Sequence, residues 1–440
     1  MPNLSSSSDL RAIRGAWLNP LSDERCDYFQ DGLLIASKAS GTWKVVELGD
    51  AQSLIAKHGL ESSQIERESG LLMPPFFDMH FHWVQDEVRE MPKASLLEWL
   101  EKYTFPKEAE YADAAFAEQK AAFFWKRILA TGTIGGLCYS SIHQTALEAA
   151  MRHAPEHFKV GNVLMTMNSP EALTQSNREA MEMNSWASRT FGQRHVASPR
   201  FAPTTGPDVI AAASFGADGI DGFAQTHMCE TQQEIDWVLS IYRELSGFED
   251  IDSYIQVYER TGFLGPKTVL GHCIHLTDVE WQLMAQTDTV VASCPTSNGP
   301  LEERGLGSGL FDFQRADQEG VRWALASDIG GGPYLSMLDV MASFVRQNKA
   351  VGNDTATFAR ALYRSSQMGA SILGLGESKG SFTSEKDVDF ISVEATAGQL
   401  NAETADAVLA SIITPYESER EAYDSLVRKT VIGGESVFEC

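Results

Sequence analysis

The sequence is poor in cysteine and in positive charge. Its six cysteines are widely scattered and form no C-x-x-C pair, which argues against a disulfide framework. Lysine and arginine total 35 against 60 acidic residues, and the resulting formal charge of −25 would repel a phosphate backbone. We therefore expect a small-molecule partner and no nucleic acid.

Long apolar runs are also missing. No segment is long enough to cross a bilayer, and the opening residues 1–10 are polar and serine-rich without an apolar core. These features predict no membrane association and a cytoplasmic location. Low-complexity repeats are absent too, and 440 residues with 43% hydrophobic content suit one large α/β barrel plus a smaller domain, or two to three ordinary domains.

Strand-like patterns occur near both ends of the chain. Short β-type runs at 32–36 and 43–48 are separated by turn residues, and residues 387–393 alternate polar and apolar side chains at the period of a strand. The pattern predicts a small accessory β-domain to which both termini contribute.

Between these ends, apolar strand-like runs alternate with amphipathic helices. This alternation indicates right-handed βαβ crossovers and a parallel sheet, and eight strands are the number that closes a (β/α)8 TIM-like barrel. We predict an accessory β-domain at 1–71, a catalytic barrel at 72–377 and the rest of the β-domain at 378–440. The predicted barrel strands are 72–82, 132–139, 159–165, 196–201, 223–227, 268–272, 289–294 and 322–328.

The clearest local motif is Asp78-Met79-His80-Phe81-His82 at the end of the first predicted barrel strand. Residues i and i+2 of a strand point to the same face, so His80 and His82 are placed to bind one metal ion together. Two nearby histidines alone are a weak signal, because such pairs are common in loops.

Other residues of metal-ligand type stand at later strand ends. His227, His272 and Asp328 each close a predicted strand. A parallel barrel gathers the carboxyl ends of its strands around one mouth, where catalytic residues lie. Residues that are far apart in the sequence are therefore expected to meet there.

With these five residues in this order, the chain resembles the single-metal barrel deaminases of the amidohydrolase superfamily. The resemblance implies that one zinc ion, or alternatively Fe²⁺, is bound by His80, His82, His227 and Asp328. It further implies three catalytic residues: Asp328 itself, His272 in contact with the metal-bound water, and Glu230 as the proton shuttle.

Longer segments narrow the resemblance to the guanine deaminase branch of that superfamily. Residues 96–106, 198–204 and 294–298 resemble segments of that branch. The resemblance implies a homodimer that hydrolyses guanine to xanthine and ammonia by attack at C2. It also implies that Gln85, Arg200 and Phe201 contact the purine.

Several features keep alternatives open. Pro75-Phe76 and Ser293 depart from the family pattern, and residues 299–305 look like an insertion at the active-site mouth. A related deaminase of 8-oxoguanine, a pterin or another aminated heterocycle is therefore the alternative. A second alternative, which is not an enzyme, is a scaffold protein that keeps the barrel but has lost catalysis, and measuring the metal content would distinguish it from an active deaminase. A cytidine-deaminase-type enzyme is excluded because its H-x-E and P-C-x-x-C elements are missing.

Overall fold

The computed structural model describes residues 10–39 and 41–440. Its strands are β1 Leu10–Pro20, β2 Cys26–Ala39, β3 Thr42–Asp50, β4 Ile65–Met73, β5 Phe76–His82, β6 Thr133–Ser140, β7 His157–Leu164, β8 Val196–Pro199, β9 Phe223–Met228, β10 Thr268–His272, β11 Val290–Ser293, β12 Trp323–Leu325, β13 Phe390–Val393, β14 Val427–Ile432 and β15 Glu435–Glu439. Its α-helices are α1 Ala51–His58, α2 Leu96–Trp99, α3 Phe105–Ala109, α4 Ala114–Ala130, α5 Gln144–His153, α6 Asn177–Phe191, α7 Pro207–Gly219, α8 Gln232–Tyr242, α9 Ile255–Arg260, α10 Asp278–Gln286, α11 Pro295–Asn298, α12 Phe313–Glu319, α13 Met337–Ala350, α14 Phe358–Ser365, α15 Gln367–Ile372 and α16 Ala405–Ile413.

One compact unit combines both ends of the chain, with residues up to 77, 127–134 and 336–440. Its seven-stranded mixed sheet has the order β15-β14-β13-β4-β1-β2-β3. Trp17 on β1 packs edge-on against Phe382 and Phe390, with ring centroids 5.0 and 5.5 Å apart, so the core of this unit joins amino-terminal and carboxy-terminal segments. The predicted accessory β-domain from both termini is confirmed.

The second unit holds residues 78–126 and 135–335, and most of the eight-stranded sheet lies in it. The strands follow chain order from β5 to β12, with parallel pairing throughout the ladders from β6 onward. The strands are buried on both faces, as in a barrel whose interior is filled by side chains. The predicted (β/α)8 barrel is confirmed.

The ring closes through the segment that follows β12. The Asp328 amide donates to the His80 carbonyl at 2.8 Å, and the His82 amide donates to the carbonyl of Ile329. Below these bonds, Asp78 accepts a hydrogen bond from the Ser327 amide at 3.0 Å and another from the Ser327 hydroxyl. First and last strands are thereby joined at the carboxyl end of the barrel.

One strand prediction was too long at its amino end. Residues 72–82 form two strands, because β4 ends at Met73 in the terminal sheet and β5 begins at Phe76 in the barrel. Pro74 and Pro75 lie between them, and proline has no backbone N–H to donate to a ladder. Among the described residues, no helix combines the length and apolar character needed to span a membrane.

Candidate active site

Four side chains of metal-ligand type converge at the carboxyl end of the barrel. His80 and His82 lie on β5, His227 lies on β9, and Asp328 follows β12. One ligand atom from each lies within 4.8 Å of the others. His82 Nε2 is 3.1 Å from His227 Nε2, and Asp328 Oδ1 is 3.4 and 3.6 Å from the Nε2 atoms of His80 and His82.

These separations suit one tetrahedral ion. Ligands about 2.0–2.1 Å from a tetrahedral metal lie about 3.3–3.4 Å apart. His227 Nδ1 hydrogen bonds the Arg200 carbonyl at 2.7 Å, and a neutral ring that donates there leaves Nε2 unprotonated toward the cluster. Burial lowers the pKa of His80, His82 and His227, which favours the neutral imidazole that a metal requires. The residues present therefore fit a zinc-type ion.

Asp328 completes the set as the anionic member. Burial alone would raise the pKa of this carboxyl, but the hydrogen bond from the facing His80 and the electrostatic interaction with the neighbouring histidine rings lower it below its ordinary value. Its backbone has φ 48°, and His272 has φ 70°, both in the left-handed region. Non-glycine residues adopt this region at a cost of order 1–3 kcal/mol, and such strain concentrates at functional sites.

Glu230 and His272 lie beside the cluster and share one partner. The Asn298 Nδ2 donates to Glu230 Oε1 at 3.2 Å, and the Nδ2 and Oδ1 atoms of the same amide lie 3.0 and 3.3 Å from His272 Nδ1. Assigning the hydrogen bond to the shorter contact makes the ring an acceptor at Nδ1 and leaves its proton on Nε2, which is 3.6 Å from Glu230 Oε2. Asn298 thus orients His272 as a hydrogen-bond donor toward the site.

The Glu230 carboxyl is 2% exposed, and burial together with the nearby Asp328 charge raises its pKa to about 8. Ser308 opposes that shift by donating to Glu230 Oε1 at 3.2 Å. A carboxyl whose pKa lies near neutral pH can both accept and release a proton, as a general acid–base requires.

A cavity opens on the cluster. His82, His227, Glu230, His272 and Asp328 line it, as do all three predicted purine contacts, Gln85, Arg200 and Phe201. Its apolar wall consists of Leu96, Trp99, Leu100, Phe201 and Leu306. Apolar walls with a few convergent polar groups are typical of sites for small planar ligands.

The chain matches the amidohydrolase family over residues 71–437. The chain belongs to the amidohydrolase family. Guanine deaminase of Escherichia coli strain K12 is 30% identical over 454 residues, covering 99% of each chain. The structure of E. coli guanine deaminase covers 98% of this chain and 99% of its own with a TM-score of 0.83 at 29% identity. Guanine deaminase of C. acetobutylicum, solved with bound guanine, covers 98% and 100% with a TM-score of 0.81 at 21% identity, which supports the same fold. The predicted resemblance is confirmed.

Three side chains that contact the site residues of this amidohydrolase were not predicted from the sequence. Tyr139 stacks on the His82 ring, with centroids 4.5 Å apart. Asn298 and Ser308 reach Glu230 from α11 and from the loop that follows it. Asn298 lies in a segment that resembled the family, so its position after the seventh strand was an available signal, whereas no motif marked Tyr139 or Ser308.

Proposed function

We propose that this amidohydrolase is a zinc-dependent guanine deaminase that releases ammonia and xanthine. The observation that carries the proposal is that one cavity opens on the four-residue ligand cluster and is lined by Glu230, Gln85 and Arg200. The similarity to E. coli guanine deaminase over 99% of the chain supports it. His80, His82, His227 and Asp328 would hold the ion.

Zinc, when bound, lowers the pKa of water to about 7 and so provides a nucleophile at neutral pH. The Asp328 carboxylate accepts a proton from the attacking water. The His272 Nε2–H donates a hydrogen bond to the charge that develops on the oxygen. Glu230, protonated at the start as a pKa near 8 allows, gives its own proton to the ring nitrogen beside C2. It then passes the second water proton, from the hydroxyl now on C2, to the amino group that departs as ammonia, and it recovers its starting proton from Asp328.

The cavity also provides groups that distinguish purines. An Arg200 guanidinium can donate to the O6 carbonyl of guanine, whereas adenine presents an amino donor at that position. Sites that hydrogen bond a substrate group can reject an analogue that leaves buried partners unpaired by about 10⁴–10⁵-fold. Phe201 offers an apolar face to the ring.

The substrate assay measures ammonia released from guanine, adenine, 8-oxoguanine and pterins by purified, metal-replete protein. We expect guanine to be preferred and adenine turnover to be negligible. The 299–305 loop leads directly into Leu306, which lines the cavity, so the loop bears on this choice. If kcat/KM for 8-oxoguanine or a pterin were at least about tenfold higher than for guanine, the proposed substrate would be wrong.

Glu230→Gln tests the proton shuttle. The variant should keep about one metal ion per chain and lose about 10²–10⁴-fold in kcat, because an amide cannot accept and release the proton. Elemental analysis and steady-state kinetics measure the two properties, with the exposed Glu244→Gln as control. If Glu230→Gln kept more than about a tenth of wild-type kcat, the assignment of Glu230 as proton shuttle would be wrong. If a His80→Ala/His82→Ala double variant kept its full metal content, the assignment of the metal ligands would be wrong.

Three further features of the protein stay predictions. We propose a homodimer, a cytoplasmic location, and a catalytic barrel bounded at residues 72 and 377. Sedimentation of the purified protein over a range of concentrations tests the first. Limited proteolysis tests the boundaries, because a compact domain resists cleavage between its ends.

A further inference from the structure

Glu108 is a buried acid that contacts two predicted substrate-binding residues at once. It lies on α3 and is 0% exposed. Its Oε1 accepts from Gln85 Nε2 at 2.7 Å, and its Oε2 accepts from Arg200 Nη1 at 2.6 Å. Among the described residues that line the cavity, Gln85 and Arg200 are present and Glu108 is not. Glu108 therefore lies behind the residues that face the ligand.

The Gln85 contact determines which way its amide points. A carboxylate only accepts, so the nitrogen of the Gln85 amide must face Glu108. The Gln85 oxygen accepts from the Gly330 amide at 3.3 Å on its other side. With both bonds made, the amide cannot turn over, and one Nε2–H and one oxygen lone pair remain for a ligand.

The Arg200 contact balances charge between two buried side chains. Arg200 is 2% exposed, and its guanidinium also lies 5.1 Å from the Phe105 ring centroid. An unpaired buried guanidinium would be costly and would attract anions. The Glu108 charge also interacts with two other titratable side chains, His143 and Tyr111. The Glu108–Arg200 pair is thus close to neutral where the ring edge is expected to bind.

We propose that Glu108 is a positioning residue that orients the Gln85 amide and the Arg200 guanidinium, and that its charge makes the cavity select an uncharged ring over an anionic one. The inference rests on the proposed function, since it assumes that Gln85 and Arg200 face a purine. Xanthine, the product of the proposed reaction, carries one more carbonyl than guanine and is the more acidic of the two rings. Glu108 therefore favours release of product as well as binding of substrate.

The first test is kinetic. In Glu108→Gln the new amide offers one acceptor oxygen and one donor nitrogen, whereas both partners, Gln85 Nε2 and Arg200 Nη1, are donors. One of the two hydrogen bonds is therefore lost. We expect kcat/KM to fall about 10²-fold, as for a ring misplaced by about 1 Å. The matched control is Glu110→Gln, which changes an exposed glutamate of the same segment and should leave kcat/KM unchanged.

A double-variant cycle separates positioning from general damage to the fold. If Glu108 acts partly through Gln85, then Glu108→Gln should cost several-fold less in a Gln85→Ala background than in the wild type. Fully multiplicative losses would overturn the positioning part of the proposal. Glu108→Asp keeps the charge and should recover part of the activity.

The second test reads charge selection without turnover. Calorimetry compares hypoxanthine, an uncharged oxopurine, with urate, a purine anion at neutral pH. Glu108→Gln should weaken hypoxanthine binding and strengthen urate binding about tenfold, because the Arg200 charge is no longer balanced. Loss of structure would weaken the binding of both ligands. The proposal would therefore be overturned if both affinities shifted in the same direction, or if urate bound no more tightly to the variant than to the wild type. If the wild type failed to deaminate guanine, the proposed function would fall, while these opposed shifts in binding would still be measurable.

Discussion

Gly271 on β10 lies against the His80 ring, and its replacement tests the ligand set. A methyl carbon at this position would lie 2.6 Å from His80 Cε1 and 2.8 Å from Nδ1. Ordinary van der Waals contact begins near 3.4 Å, so the ring must retreat by about 0.8 Å. Metal–ligand distances tolerate about 0.2 Å. Gly271→Ala should therefore weaken metal binding by about 10–100-fold or more.

The assay is metal content after dialysis against chelators of graded strength, with turnover measured at saturating metal. Gly265→Ala is the matched control, because a methyl group there would meet no atom of the described residues within 4 Å and Gly265 is not among the residues with positive φ. Wild-type metal affinity and turnover in Gly271→Ala would refute the reasoning, since His80 would then not need its present position.

Two further predictions concern stability. Because burial raises the Glu230 pKa to about 8, the folded metal-free protein binds a proton that the unfolded chain has released, so its free energy of unfolding should fall as pH rises from about 4.5 to 8, by at most about 5 kcal/mol. Denaturant unfolding at both ends of that range should show the fall in the wild type and a smaller one in Glu230→Gln; equal slopes would contradict it. Asp339→Ala removes the buried partner of Arg420, bound at 2.6 and 3.0 Å, and should cost about 3–5 kcal/mol. Glu394→Ala, which breaks an exposed pair, should cost at most about 1 kcal/mol, and similar losses for both would refute the argument from burial.

The barrel and its cluster of metal-ligand residues could be predicted from the sequence because both follow from patterns that repeat over a few neighbouring residues. The two-residue spacing of His80 and His82 places them on one face of a strand, and the strand-end positions of His227 and Asp328 follow from alternating apolar runs. β10 was predicted with its observed bounds, Thr268–His272. Such features need no knowledge of tertiary packing.

The supporting contacts were not accessible in this way. Glu108 meets Arg200 across 92 residues and Gln85 across 23, and Asn298 meets Glu230 across 68. No local period marks these partners, because a buried carboxyl or amide finds its contacts only after the elements that carry it have packed. The division of residues 72–82 was missed for another reason: apolar side chains continue across Pro74-Pro75, so hydropathy alone does not show the break.

Closure of the ring at its ligand-bearing end has a consequence for biosynthesis. Asp78 and Ser327, which join the first and last strands, are 249 residues apart in the chain, and the proposed ligands, from His80 to Asp328, span nearly the same interval. During translation the last ligand emerges only after all eight barrel strands have been made, so no nascent fragment that ends before Asp328 offers a complete tetrad. Metal can then be acquired tightly only once the ring has closed, and metal occupancy would report how many newly made chains have completed the barrel.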